Sequence, residues 1–243
     1  MYEYGGRGAR APSHKTQCRM TVANWRLECA AILFDLDGVL IDSTSCVERH
    51  WRAWAGKHGL DAEDILRTAH GVRNLDTMRR IAPHLDVERE AAEFAADEVA
   101  DTRGVVAVQG AQALLASLDD ADWAIVTSCS AELARARLGA AGLPLPATLL
   151  SGTDVSRGKP EPEPYLLAAE RLGLAPDRCI VLEDAPAGIQ SGKNAAMRVI
   201  GIAFTYGRDD LLASGADVVI VRLSDLRIER TTSVLNPVAI FGR

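Results

Sequence analysis

No apolar run in the 243-residue chain approaches the roughly 18 residues that suggest a membrane span. The opening stretch MYEYGGRGARAPSHKTQCRM also lacks the apolar core of a secretory signal. Its basic, Gly-rich character predicts a disordered N-terminal extension over residues 1–29, most of which a start at Met20 would remove. Paired cysteines are missing too. Cys18, Cys29, Cys46, Cys129 and Cys179 are odd in number and form no CxxC spacing. That pattern argues against a disulfide framework or a zinc site and for a reduced, cytoplasmic compartment. Most of these thiols read as small buried hydrophobes, with Cys129, beside a polar loop, the one expected to be reactive. There is no excess of positive charge. The first 29 residues hold five Lys or Arg against two acids, so the rest sits near −9 within a formal net charge of −6. A body that acidic is a poor partner for a nucleic-acid backbone. Internal repeats and further low-complexity tracts are absent as well.

What is present is ordinary globular composition, 48% hydrophobic and 25% charged, enough for one well-buried core and a small second domain. Short apolar runs recur, each ending in a polar cluster and followed by a helical pattern. AAILF leads to Asp35, and WAIVTS leads to SAELARARLGAAGL, with Ser130 as helix N-cap and Gly142 as stop. ATLLSG leads to GKPEPEP and YLLAAERLGL, CIVLED leads to APAGIQSGKNAAM, and VIGIA and ADVVIV close the series. Such runs, alternating with helices, read as buried parallel strands in βαβ units. The fold class is therefore α/β, a doubly wound parallel sheet. Ligands in such sheets bind beyond the strands' carboxyl ends, where the polar clusters fall. From Cys46 to Arg103 only helical patterns occur. This predicts a helical domain over residues 46–103, set over the strand ends and inserted into a core of 30–45 and 104–243.

The stretch FDLDGVLIDS places Asp35, Asp37 and Asp42 straight after an apolar strand, with Gly38 behind the first two. Taken alone, such acids either cap and turn the chain or hold a cation. Four clusters in order at four strand ends tilt the balance. They supply a carboxylate pair, the hydroxyls of Thr127 and Ser128, the cation Lys159, and the second pair Glu183 and Asp184. Oxygen ligands of this kind suit Mg2+, and a lysine with hydroxyls beside such a site suits a phosphoryl group.

These motifs resemble the haloacid dehalogenase-like superfamily, in the branch carrying a small helical cap after the first strand. DLDGVLIDS, VTSCS, GKPEPEPY, LEDAPAGIQSGKNAAM and the cap stretches VERHWRAWAGKHGL and HGVRNLD are similar to those of sugar-phosphate and glycerol-phosphate phosphatases. The resemblance spans about residues 30–205 and implies a Rossmann-like core. It further implies Asp35 as nucleophile through an aspartyl-phosphate, and Asp37 as general acid and then base. Thr127, Ser128 and Lys159 would bind phosphate. Asp35, the carbonyl of Asp37, Asp184 and Glu183 (directly or through water) would hold Mg2+. His70 and Arg73 in the cap are candidate substrate contacts, whereas Trp51 and Trp54 read as packing. The expected activity is hydrolysis of small phosphorylated sugars or polyols, with neither nucleic acid nor membrane as partner. A hexose-phosphate mutase of the β-phosphoglucomutase type is the alternative. Val47 speaks against it, since that enzyme carries a histidine there and His50 lies one helical turn further on. A catalytically silent binding protein on the same fold is the reading from another class.

Overall fold

The computed structural model describes residues 25–231 and 238–242. Strand β1 (Trp25–Cys29) leads into β2 (Ala31–Phe34); β3 (Ile41–Asp42) precedes the helices α1 (Thr44–His58), α2 (Ala62–Ala69), α3 (Asn74–Ile81) and α4 (Val87–Ala100). The chain returns through β4 (Val106–Ala107), α5 (Ala111–Leu115), β5 (Trp123–Val126), α6 (Ala131–Ala141), β6 (Leu149–Leu150) and α7 (Glu163–Arg171). Then come β7 (Cys179–Glu183), α8 (Pro186–Asn194), β8 (Arg198–Ile202), α9 (Arg208–Ala213), β9 (Val218–Ile220), β10 (Arg227–Arg230) and β11 (Val238–Gly242).

Six strands pair in parallel in the order β6-β5-β2-β7-β8-β9. Helices cover both faces, so β2, β5 and β7 are buried throughout their lengths. Side chains alternate between two apolar layers. Ile32 and Phe34 face α5 and α6, while Leu33 packs with Tyr165 of α7, Ile189 of α8 and Leu211 of α9. Each such buried side chain contributes about 1.5–3 kcal/mol. Ser130 does cap α6, its hydroxyl accepting from Leu133 N at 3.2 Å, and Gly142 ends it in the left-handed conformation. From the central strand β2 the chain moves first to one side of the sheet and later to the other. The carboxyl end of β2 is thus the topological switch point.

A second, antiparallel sheet, ordered β1-β11-β10, was not foreseen. β1 lies inside the stretch expected to be a disordered extension, and it pairs with β11 from Trp25↔Gly242 to Cys29↔Val238. The extension reading therefore fails for residues 25–29, because Leu27 packs on the main core and Cys29 is part of it. Residues 1–24, including Cys18, lie outside the described residues.

The four consecutive helices α1–α4 lie between β3 and β4, which pair antiparallel at Ile41↔Ala107 and Asp42↔Val106. They have an apolar cluster of their own around Trp51, Trp54, Met78 and Phe94. The two tryptophans meet edge to face with centroids 5.5 Å apart. Trp54 Nε1 donates to Glu90, a buried carboxylate that also accepts from His58 and Lys57. Burial alone would raise the Glu90 pKa, but the bonds from Lys57, His58 and Trp54 outweigh it and hold the pKa at about 2. A carboxylate depressed on folding adds stability above its unfolded pKa, and that stability fades as pH falls toward the folded value. Glu90→Gln should therefore lower the thermal midpoint at neutral pH, with the gap from wild type narrowing below about pH 4.5. Differential scanning fluorimetry across pH 3.5–7 checks this; a gap that widens on acidification would contradict it.

Candidate active site

Asp35 directly follows β2, and its N–H donates to Leu182 O on β7 at 3.0 Å. Leu36 turns into the apolar core, so Asp35 and Asp37, two residues apart, line one cavity. Gly38 comes next with φ +80°, and a Cβ there would stand 1.9 Å from Asp184 Oδ2. Backbone conformation and close approach both require glycine at this point. Asp42 has the plainer use, accepting from Thr44 N at 3.0 Å ahead of α1. One of the three acids therefore closes a turn ahead of a helix, and the other two enter the site.

Lys159, in the loop after β6, is 2% exposed. Its Nζ donates to Asp35 Oδ1 and to Glu183 Oε1, both at 2.6 Å, and to Val126 O at 3.0 Å. Glu183 Oε1 also accepts from Tyr165 at 2.7 Å, while Oε2 faces the N–H groups of Asp184 and Ala185. These bonds make Glu183 first a support for Lys159. Gly188 leaves room for it, since a Cβ there would meet Glu183 Oε1 at 1.8 Å. Burial opposes the charge on Lys159, but the carboxylates of Asp35 and Glu183 prevail and raise its pKa.

Asp35, Glu183 and Asp184 each offer a carboxylate oxygen, all within 4.8 Å of one another. Burial pushes Asp35 up to about 7 against the pull of Lys159. Burial, then the charges of Glu183 and Asp35, push Asp184 well above the usual carboxylate range. Were all three carboxylates ionised, they would exceed the one ammonium by two negative charges, the charge of one divalent cation. The donors are hard oxygens, which fits Mg2+. Asp35 and Asp184 would hold it, with Thr205 Oγ1 donating to Asp184 Oδ2 to fix that carboxylate.

The remaining sequence candidates divide. Thr127 and Ser128, at the end of β5, both line the cavity. Thr127 Oγ1 donates to Cys129 Sγ at 3.3 Å, but Ser128 Oγ donates to Gly71 O of the helical insert at 2.8 Å. Ser128 therefore ties the insert to the core in this structure. Arg73 has a similar use in place of the substrate contact expected of it. Its guanidinium pairs with Asp76 at 2.6 Å and donates to the carbonyls of Gly152, Val155 and Ser156. His70 lines the cavity with its ring edge-on to Tyr206, and burial lowers its pKa, so it faces the site as neutral imidazole. Cys129 is half-buried and lines the cavity, and burial pushes its thiol up to about 12, which disfavours the reactive thiolate. His50 donates to Cys46 O at 2.8 Å and packs on Phe94, while Val47 lines the cavity. Five contributors were missed: Ser43, Glu98, Arg137, Tyr165 and Thr205. A signal existed for Arg137, a charge on the stripe of Leu133, Ala134 and Leu138 that α6 buries.

A doubly wound sheet with an acid–lysine cluster at its switch point, beneath a helical insert, defines the class. The family model described as haloacid dehalogenase-like hydrolase matches residues 29–196. The chain belongs to that family of hydrolases. It is 45% identical over 185 residues to "Hexitol phosphatase A" of Escherichia coli (strain K12), covering 72% of this chain and 84% of that protein. It is 32% identical to "Glycerol-1-phosphate phosphohydrolase 2" of Saccharomyces cerevisiae, covering 86% of this chain and 88% of that protein. Among solved structures, a hydrolase from Pseudomonas syringae superposes with a TM-score of 0.73 at 26% identity, covering 80% of this chain and 94% of that one.

Gly38→Ala should cost about 1–2 kcal/mol from the left-handed backbone alone, and it should drive Asp184 away from Thr205. Urea unfolding measures the loss; a variant as stable as wild type would show that the turn relaxes around a side chain.

Proposed function

We propose that the chain is a Mg2+-dependent phosphatase of small phosphorylated sugars or polyols, working through an aspartyl-phosphate on Asp35. The observation that carries this reading is one cavity lined by Asp35, Asp37 and Asp184, with Lys159 bonded to Asp35. The names of the relatives supply the substrate class. An ionised Asp35 Oδ2 attacks phosphorus while Lys159 offsets the charge that gathers on the carboxylate and the phosphoryl oxygens. Thr127 stands at the end of the neighbouring strand, where its hydroxyl and backbone can bind those oxygens. Asp37 gives its proton to the departing alcohol, then takes one from the water that attacks the aspartyl-phosphate. A bound cation would supply charge neutralisation for two anions that must meet.

The cavity measures about 70 Å³, far below the roughly 300–1,000 Å³ of small-molecule sites. A sugar phosphate therefore enters only when the insert lifts, and a seated insert shields the intermediate from all but the water that Asp37 directs. The mutase alternative has little support at α1. Val47 offers no polar link, and His50 is spent on its own helix.

Phosphate release should be measured on glucose 6-phosphate, a hexitol 6-phosphate and glycerol 1-phosphate, alongside conversion of β-glucose 1-phosphate to glucose 6-phosphate. Hydrolysis should outrun isomerisation; the reverse would replace the phosphatase reading with the mutase. Asp35→Asn should lower the rate by more than about 10⁴-fold, beyond what loss of acid–base catalysis explains. Retention of a hundredth of the rate would remove the nucleophile role. Metal-stripped protein in excess EDTA should be inactive and recover with Mg2+; full activity without metal would sink the cation site.

A further inference from the structure

Asp37 is held by a side chain outside the sequence motifs. Arg137, on α6, is only 3% exposed. An unpaired guanidinium at such depth would cost several kcal/mol, so its partners carry information. Nη1 donates to Asp37 Oδ1 at 2.8 Å, and Nη2 donates to Glu98 Oε1 at 2.7 Å. Glu98 is itself buried and comes from α4 of the helical insert. Its other oxygen accepts from Asn74 Nδ2 of α3 at 2.8 Å. One arginine thus bridges a carboxylate of the core and a carboxylate of the insert, at the wall of the cavity.

The distribution of donors on Asp37 is uneven. Ser43 Oγ donates to Oδ1 at 2.6 Å, the same oxygen that Arg137 engages. Among the described residues, Oδ2 has no hydrogen-bond partner. A carboxyl group turns freely about its last torsion unless something holds it. Two donors on Oδ1 concentrate negative charge there and leave Oδ2 as the oxygen that can carry a proton.

We propose that Arg137 is a positioning residue for Asp37, fixing which carboxyl oxygen handles the proton. Its second arm, through Glu98 and Asn74, makes that arrangement depend on the insert being seated. The proposal rests on Asp37 serving as proton donor to the leaving alcohol. The planar fork of arginine reaches two carboxylates from separate nitrogens, whereas lysine offers a single ammonium that cannot reproduce that geometry. When the insert lifts to admit substrate, Glu98 leaves with α4. Arg137 then loses half its neutralisation, and the hold on Asp37 loosens until the insert returns. The other fastenings, Ser128 to Gly71, Arg73 to the loop near Val155 and Tyr206 to the Arg67 carbonyl, do not touch Asp37.

The test compares two esters in rapid-mixing experiments. The departing p-nitrophenolate needs no proton, but the alkoxide of a polyol phosphate does. The polyol ester is glycerol 1-phosphate or a hexitol 6-phosphate, whichever wild type turns over faster. If wild type hydrolyses neither class of ester, the phosphatase reading itself fails, apart from anything about Arg137. In the double variant Arg137→Met with Glu98→Gln, no buried charge is left unpaired. Alcohol release from the polyol phosphate should slow at least about 100-fold in that variant, the scale of lost general-acid help. The first-turnover burst of p-nitrophenol should slow less than about threefold, a contrast that general loss of structure would not produce. Equal slowing of both esters, or no slowing in a folded variant, overturns the proposal. Should the double variant not fold, Arg137→Lys carries the test. It keeps the charge and loses the fork, so alcohol release should slow at least about tenfold with the aryl burst within threefold. Glu98→Gln alone should slow alcohol release about tenfold with little change in KM, and an unchanged rate would remove the dependence on the insert.

Discussion

A buried ammonium between two buried carboxylates sets the terms for the rest of the site. Lys159 lies between Asp35 and Glu183, and removing one member of such a group would strand a charge at a cost of about 3–5 kcal/mol. Much of the surrounding structure follows from that demand. β2 and β7 must end side by side so that the two acids face one lysine. The loop after β6 must cross the strand ends to deliver Lys159. Tyr165 must share Glu183 Oε1 with the lysine, and the first backbone amides beyond β7 must face Oε2, which the lysine leaves over. The cluster sets three buried carboxylates against this one ammonium.

The helical insert obeys a different rule. Its tryptophans and Phe94 form an apolar cluster apart from the two layers of the sheet, so it does not need the core to bury its own hydrophobic surface. The seam carries polar fastenings: Ser128 to Gly71, Arg73 to three carbonyls, Arg137 to Glu98. Polar groups can exchange a protein partner for water at a modest net change in free energy. A seam held this way can part and close, which continuous apolar packing would resist.

Much of this was legible in the sequence, for reasons that are physical. Strands buried on both faces must be short apolar runs, and the acids at their ends stand out because nothing else explains a charge there. That is why Asp35, Asp37, Lys159 and Asp184 were found and lie together. The sequence was less helpful where one side chain had two possible uses. Arg73 and Ser128 had the right chemistry for a substrate, but Ser128 bonds a carbonyl across the seam, and Arg73 pairs with Asp76 of α3 and then with carbonyls across the seam. Cys129 looked reactive beside polar neighbours, yet burial raises its thiol. The small sheet escaped notice because WRLEC and RIER are short and charged, WRLEC is distant in sequence from VAIFG, and only pairing gives them structure. Arg137 and Glu98 were hidden differently, as charges written into helical stripes that otherwise read as apolar.

The small sheet has a consequence for the order in which the chain can fold as it is made. Its middle strand, β11, follows every other described element, and both neighbours depend on it for their hydrogen bonds. On a ribosome the six parallel strands, the helices and the whole cluster around Lys159 emerge before β11 does. Val238 and Ile240 of β11 lie in the same buried layer as Ile32 and Phe34, so one face of the parallel sheet gains its last apolar cover only when this strand arrives. The last stretch of the described chain to appear thus joins an early strand to a late one and completes that layer.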